Sequence, residues 1–282
     1  MVERLKIAIA KARERRGGQQ AAGRIASPKA QTSDSAVEAA WAQLPELVVD
    51  PVILESERVV TRQKSDAAHI AFDMKRTRLS KLALEQAWTQ IGITSPTKGC
   101  GKTVIAANLA FSFARHPENR TILVDMDLRS PRLSKCLGVQ ERRAINWMLS
   151  GATAPEQYLQ RIGERFALAL NAQRVRDASE VIQNAATSQS LARMNEVYRP
   201  DIVIYDLPPM LVGDDAIAFL RNLDAALLVI AAGETKPYEV EECEALIADE
   251  TNFLGVLLNK VERGAGSDYY YGYGYGYGSG QD

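Results

Sequence analysis

A three-layer α/β fold, with a mostly parallel central sheet flanked by helices, is predicted by three observations. Six short apolar runs recur along the chain: TQIGIT at 89–94, TILVD at 121–125, FALAL at 166–170, DIVIYD at 201–206, ALLVIA at 226–231 and GVLLN at 255–259. They do not alternate in and out as half-buried strands do, so they suit strands covered on both faces. Helical segments separate them, as the crossovers of a parallel sheet require. The chain of 282 residues, 46% of them hydrophobic, can fill one large core.

Taken in order, residues 2–16 (VERLKIAIAKARERR) place Leu5, Ile9 and Ala12 at helical spacing among basic residues. Segment 1–16 fits a short amphipathic helix and equally a solvated arm. From Gly17 to about Asp50 the chain is rich in Gly, Gln, Ala, Ser and Pro without a sustained period, and 51–64 is ambiguous, so 17–64 is expected to be a flexible linker. Residues 65–86 restore an apolar stripe, Ile70, Met74, Leu79 and Leu82, behind Ser65 or Asp66 as N-cap. That helix marks the start of a compact domain expected over 65–263. The tail 264–282 has no aliphatic residue able to anchor it and six glycine-interleaved tyrosines, so it is expected to be flexible.

With 34 basic and 35 acidic residues the formal net charge is −1, which favours neither nucleic acid nor anionic lipid as a partner. Cys100, Cys136 and Cys243 form no CxxC pair and point to a reducing compartment. No run approaches the 18 or so apolar residues of a membrane span, so a cytoplasmic protein is expected, peripheral to a membrane only through a partner.

The segment TQIGITSPTKGCGKT joins a strand directly to a helix beginning near Thr103, in which Ile105, Leu109 and Phe113 face the sheet. Gly99 and Gly101 let backbone N–H groups approach phosphate oxygens, and the helix N-terminus adds its positive dipole end. Lys102 would supply charge to the β and γ phosphates of ATP, and the Thr103 hydroxyl would ligate Mg²⁺. Gly99, Cys100, Gly101, Lys102, Thr103 and Val104 thus form the candidate nucleotide loop. Pro96 stands where the G-x-x-x-x-G-K-[ST] pattern has its first glycine.

TILVDMDLRSPR ends a strand in Asp125 and Asp127, and DIVIYDLPPM ends another in Asp206. Ligands of open α/β sheets bind outside the carboxyl ends of the strands, so these carboxylates can converge beside the loop. Such a group could hold Mg²⁺ or take a proton from an incoming hydroxyl. Each aspartate alone would be a strand-end turn residue. Arg129 could pair with a carboxylate or reach a phosphate.

SPTKGCGKT, ILVDMDLR and IVIYDLPPM, followed by LVGDDA, VLLNKV and a tyrosine-rich C-terminus, resemble the bacterial tyrosine kinases of capsule and exopolysaccharide synthesis. The likeness runs from about residue 68 to the end. It implies a P-loop NTPase fold and a tyrosine-protein kinase that autophosphorylates its C-terminal cluster at the expense of ATP. Lys102 and Thr103 would hold phosphate and Mg²⁺, Asp127 and Asp206 would organise the metal, and Asp125 is implied as the base for the tyrosine hydroxyl. Asp215 matches the family's aspartate after the PP motif, and Asn259 a position near the adenine. The implied activator is the cytoplasmic segment of a membrane polysaccharide co-polymerase, or chain-length determinant protein. The family's E-x-x-R-x-x-R ring-assembly motif is not met: Ile70 and Asp73 replace its Glu and first Arg, and Arg76 alone agrees. This leaves a homo-oligomer open.

Tyr269, Tyr270, Tyr271, Tyr273, Tyr275 and Tyr277 lie within nine positions and are the implied phosphoacceptors. A flexible chain of this length reaches about 25 Å, enough to present a tyrosine to a neighbouring subunit. Six phosphates would change its charge by roughly −9 to −12, which could disperse an assembly. Two alternatives stand beside this reading: a ParA/MinD-like positioning ATPase without kinase activity, and a non-catalytic nucleotide-binding regulator of polysaccharide export. The signature lysine of the former is replaced by Thr97, next to Lys98.

Overall fold

The computed structural model describes residues 34–62 and 68–261. The readings made for 1–16 and for the tail 264–282 lie outside the described residues. Seven strands, β1 Gln90–Thr94, β2 Thr121–Asp125, β3 Gln160–Arg161, β4 Phe166–Ala169, β5 Ile202–Asp206, β6 Ala225–Ala231 and β7 Asn252–Asn259, form one sheet ordered β3-β4-β2-β5-β1-β6-β7. All pairings are parallel except β3 with β4. The six predicted strands are all present. β3, two residues long, is added at an edge and carries no apolar run by which sequence could mark it.

Alternate residues of each strand serve opposite faces, as the two-residue side-chain period requires. Ile122, Val124, Val203 and Tyr205 pack into one core, whereas Leu123, Ile202 and Ile204 pack into the other. The first core is covered by α1 Asp34–Gln43, α6 Asn146–Leu149, α7 Pro155–Tyr158, α8 Ala178–Gln183, α9 Ala185–Tyr198, α10 Asp215–Leu220 and α11 Pro237–Glu250. The second is covered by α2 Pro51–Ser56, α3 Ala68–Gln86, α4 Lys102–Ala114 and α5 Leu133–Cys136. The predicted three-layer architecture follows.

The expected linker is corrected over its described part, because 34–62 is built into the body. Val37, Trp41, Leu44, Val49, Leu54 and Val59 are all buried. The Trp41 indole donates to the Tyr198 carbonyl at 2.8 Å, and its ring meets that of Tyr198 edge-on at 5.6 Å. Residues 58–61 strap across α4 through one residue, Asn108, whose carbonyl also accepts the Thr61 hydroxyl at 2.7 Å. The Asn108 amide oxygen accepts the backbone N–H groups of Val60 and Thr61, and its amide nitrogen donates to the Arg58 carbonyl. Val37, Trp41 and Leu44 do stand at helical spacing, a signal the linker reading passed over, whereas Val49, Leu54 and Val59 beyond them follow neither a helical nor a strand period.

The helix predicted over 65–86 exists as α3, but its apolar stripe does not face the core. Leu79 is buried, whereas Ile70, Met74 and Leu82 are 42%, 55% and 38% exposed. The helix seats on α4 largely through polar groups instead: Asp73 accepts from Ser112 and Arg115, and Arg76 donates to the Ser112 carbonyl. Asp73 and Arg76 are two of the positions at which the ring motif was sought, and here they serve an intramolecular contact.

Trp41→Ala should lower unfolding free energy by about 3 to 5 kcal/mol in a denaturant titration. A change under about 1 kcal/mol would mean that this segment is not part of the folded body.

Candidate active site

The site is assembled by strand register. In the sheet Asp125 of β2 pairs with Asp206 of β5, and Asp206 pairs with Ile93 of β1, one residue before that strand ends. Because β1, β2 and β5 are parallel, both aspartates and the β1–α4 loop emerge at the same edge. Gly99 and Gly101 hold the loop with φ of +86° and +92°, a conformation other residues adopt only under strain. At Gly101 a Cβ would also lie 2.3 Å from the Asn259 amide nitrogen.

A cavity of about 640 Å³ opens against this loop, and Gly99, Gly101, Lys102, Thr103, Val104 and Asp127 line it. The Lys102 ammonium, nearly buried, lies 2.8 Å from Asp127 Oδ2 and 3.4 Å from Asp206 Oδ1. Burial disfavours its charge, but Asp206 and Asp127 more than compensate and hold its pKa above the usual value. Burial pushes Asp125 well up, helped by the nearby Asp206 charge, and pushes Asp206 up against the opposing Lys102 charge. One ammonium thus faces three carboxyl groups in a desolvated site.

Asp125 lies beneath the cavity. Its two oxygens accept backbone N–H groups from Asp127 and Leu133, each at 3.2 Å, and so hold the loop that presents Asp127. Asn259 donates to the Cys100 carbonyl at 2.9 Å and braces the loop. The Cys100 thiol turns away toward Thr97 and Thr235. Neither Cys100 nor Asn259 lines the cavity. Arg129 engages Asp215 through two hydrogen bonds, and Ser179 joins them, so both residues brace α8 and α10. Of the two uses open to Arg129, the structure displays the carboxylate pairing.

Among the described residues no three His, Cys, Asp or Glu side chains converge to hold a metal by themselves. The Lys102 ammonium stands between the two carboxylates that would approach one. The remaining groups nevertheless fit a magnesium-bound nucleotide. Asp206 Oδ2 is buried with no hydrogen-bond partner, and the excess of carboxyl groups over ammonium suits a divalent cation.

A family model described as the CobQ/CobB/MinD/ParA nucleotide binding domain matches residues 91–270. The chain belongs to this nucleotide-binding family. Within it, the chain is related to bacterial tyrosine-protein kinases. It is 28% identical over 200 residues to tyrosine-protein kinase YwqD of Bacillus subtilis, covering 69% of this chain and 81% of that protein. It is 30% identical over 207 residues to tyrosine-protein kinase etk of Escherichia coli, covering 73% of this chain but 28% of that protein. The kinase domain of the Escherichia coli tyrosine kinase ETK superposes with a TM-score of 0.67 at 28% identity, covering 76% of this chain and 84% of the other.

Several cavity residues escaped the sequence reading: Glu57, Ser130, Arg132, Lys135, Cys136 and Arg174. Glu57 lay in the presumed linker. Arg132, Lys135 and Arg174 follow β2 and β4, and the strand-end rule applied to β4 as well would have flagged Arg174.

Gly101→Ala should weaken nucleotide binding by at least about tenfold, near 1.4 kcal/mol, in a calorimetric titration with Mg·ADP. Unchanged affinity would contradict the loop geometry. Burial pushes the Cys136 thiol up to about 12, so at pH 8 about one molecule in ten thousand carries its thiolate. Native iodoacetamide treatment should leave Cys136 unmodified, and rapid alkylation would contradict that environment.

Proposed function

We propose that this chain is an ATP-dependent protein-tyrosine autokinase whose acceptors are Tyr269, Tyr270, Tyr271, Tyr273, Tyr275 and Tyr277 of its own C-terminal tail. The observation that carries the reading is the meeting of Lys102 with Asp127, both lining an open cavity, and with the buried Asp206. The kinship with tyrosine-protein kinases and the tyrosine cluster itself support it. ATP is the donor substrate. The loop amides of 99–104 and Lys102 hold its phosphates, and Thr103 with Asp206 and Asp127 holds Mg²⁺, directly or through water. The metal would supply charge neutralisation on the phosphate oxygens.

The phenol oxygen forms the new P–O bond as the bond to the leaving diphosphate breaks, and the phenol proton passes to a carboxylate of the site. The transition state of phosphoryl transfer is loose, so positioning and charge supply most of the catalysis. Asp125 holds the Asp127 loop through its two amide contacts, one on each oxygen, which leave each oxygen a lone pair able to take a proton. The chain would work at the inner face of a cell membrane, activated by a polysaccharide co-polymerase, and would regulate exopolysaccharide polymerisation or export. Among the described residues no helix is long and apolar enough to cross a membrane.

A second reading, a ParA/MinD-like ATPase, is favoured by the family match and by Lys98, which lines the cavity one residue from the signature position. ATP hydrolysis coupled to dimerisation, without phosphotyrosine, would establish it.

Incubation with Mg·ATP and the activator segment, followed by mass spectrometry, should find phosphate on the tail tyrosines and none in Lys102→Met. An unmodified tail in the parent protein would refute the kinase. Asp125→Asn should weaken Mg·ADP binding together with transfer if Asp125 holds the loop. Loss of transfer at unchanged affinity would instead make it the proton acceptor.

A further inference from the structure

The cavity is charged beyond what a nucleotide loop needs. Lys98, Arg132, Lys135 and Arg174 line it and make no ion pair among the described residues. Elsewhere Arg115, Arg120, Arg143, Arg161, Arg165 and Arg193 each have a carboxylate partner. Arg132, Lys135 and Arg174 are all exposed. Among the described residues Glu57 and Asp127 are the acidic ones that line the cavity, and Asp127 is already engaged by Lys102.

The three cations also share one side. Arg132 and Lys135 follow β2, and Arg174 follows β4, whereas Asn259 ends β7. In the sheet β2 and β4 lie on one side of β1, and β6 and β7 lie on the other. On the kinase reading, the β7 side is where the resemblance places the adenine. The phosphates already have the loop and Lys102, so the cations on the β2–β4 side face whatever approaches the transferred group from the opposite direction. A long unpaired cation held at a cavity wall is suited to an anionic ligand, and an arginine is suited to a phosphate in particular.

We propose that Arg132, Lys135 and Arg174 form an anion subsite on the acceptor side of the cavity, which holds a phosphotyrosine of the tail while a neighbouring tyrosine is presented for transfer. This rests on the kinase reading. Segment 264–282 carries Asp268 and Asp282 and no basic residue, so the unmodified tail offers the subsite little. Each phosphate adds about −1.5 to −2 charge. Tyr271, Tyr273, Tyr275 and Tyr277 recur at every second position, which in an extended chain separates them by about 7 Å. A phosphate on one tyrosine therefore anchors the chain within reach of the next. The first transfer is the slow one, and later transfers gain from its product.

The test uses the full chain with all six tail tyrosines replaced by Phe, so that its own tail cannot be modified. Three synthetic peptides spanning 266–280 serve as probes: unphosphorylated, phosphorylated at position 273, and carrying Glu at 273. Fluorescence anisotropy with Mg·ADP present should show the phosphopeptide bound at least about tenfold more tightly than the unphosphorylated one. Combining Arg132→Ala with Arg174→Ala should remove that preference and leave Mg·ADP affinity and thermal stability unchanged. Equal binding of phosphorylated and unphosphorylated peptides, or a preference that survives the double substitution, overturns the subsite. A Glu peptide bound as tightly as the phosphopeptide overturns the phosphate assignment in favour of a carboxylate. Loss of Mg·ADP binding in the double variant assigns the cations to the nucleotide instead. The binding measurement needs no transfer. If the parent chain's tail stays unmodified with Mg·ATP and the activator segment yet the preference holds, the kinase reading fails and what stands is a phosphotyrosine-binding site without presentation for transfer.

Discussion

The site is organised around a buried ammonium, that of Lys102, held between the carboxylates of Asp127 and Asp206. Removing an ion from water costs several kcal/mol, and close opposite charges must offset that cost. Here the opposing charge is more than sufficient for one cation. Burial first, and the neighbouring carboxylates after it, raise the pKa of Asp125 and Asp206. A site with surplus negative charge and an orphaned carboxylate oxygen is prepared for a divalent cation, and a lysine so placed can be drawn to phosphate when one arrives. Three strands must end in register for the cluster to exist, and two loops must be pinned. The parallel pairing of β1, β5 and β2 supplies the register, Asn259 pins the glycine loop, and Asp125 pins the segment carrying Asp127.

Most of the fold was legible in the sequence because a strand buried on both faces leaves a continuous apolar run, and all six such runs became strands. Lys102 and the strand-end aspartates were legible for a related reason: strand ends and helix starts fix where side chains emerge. Three things were not legible. β3 pairs by two polar residues and has no pattern to read. In segment 34–62 the helical spacing of Val37, Trp41 and Leu44 was readable, but the stretch at 60–61 is held by Asn108, 48 and 47 positions away along the chain, which local periodicity does not reveal. Asn259 and Asp125 were recognisable as site residues, but their use as braces depends on contacts with Cys100 and Leu133 that spacing does not encode.

The family match begins at residue 91, yet the preceding residues contribute to both core and site. Trp41 closes one face of the sheet, residues 58–61 strap α4 just behind the nucleotide loop, and Glu57 reaches the cavity wall. The strap thus ties the segment before residue 62 to α4, the helix that begins at the nucleotide loop. Glu57 thereby shares the cavity with Arg132, Lys135 and Arg174.

When nucleotide binds, Lys102 must exchange its carboxylate partners for phosphate. A crystal structure with Mg²⁺ and a non-hydrolysable ATP analogue should show its ammonium hydrogen-bonded to the β and γ phosphates, with Asp206 turned to the metal or its water. Density placing the nucleotide elsewhere while Lys102 still bridges Asp127 and Asp206 would contradict it.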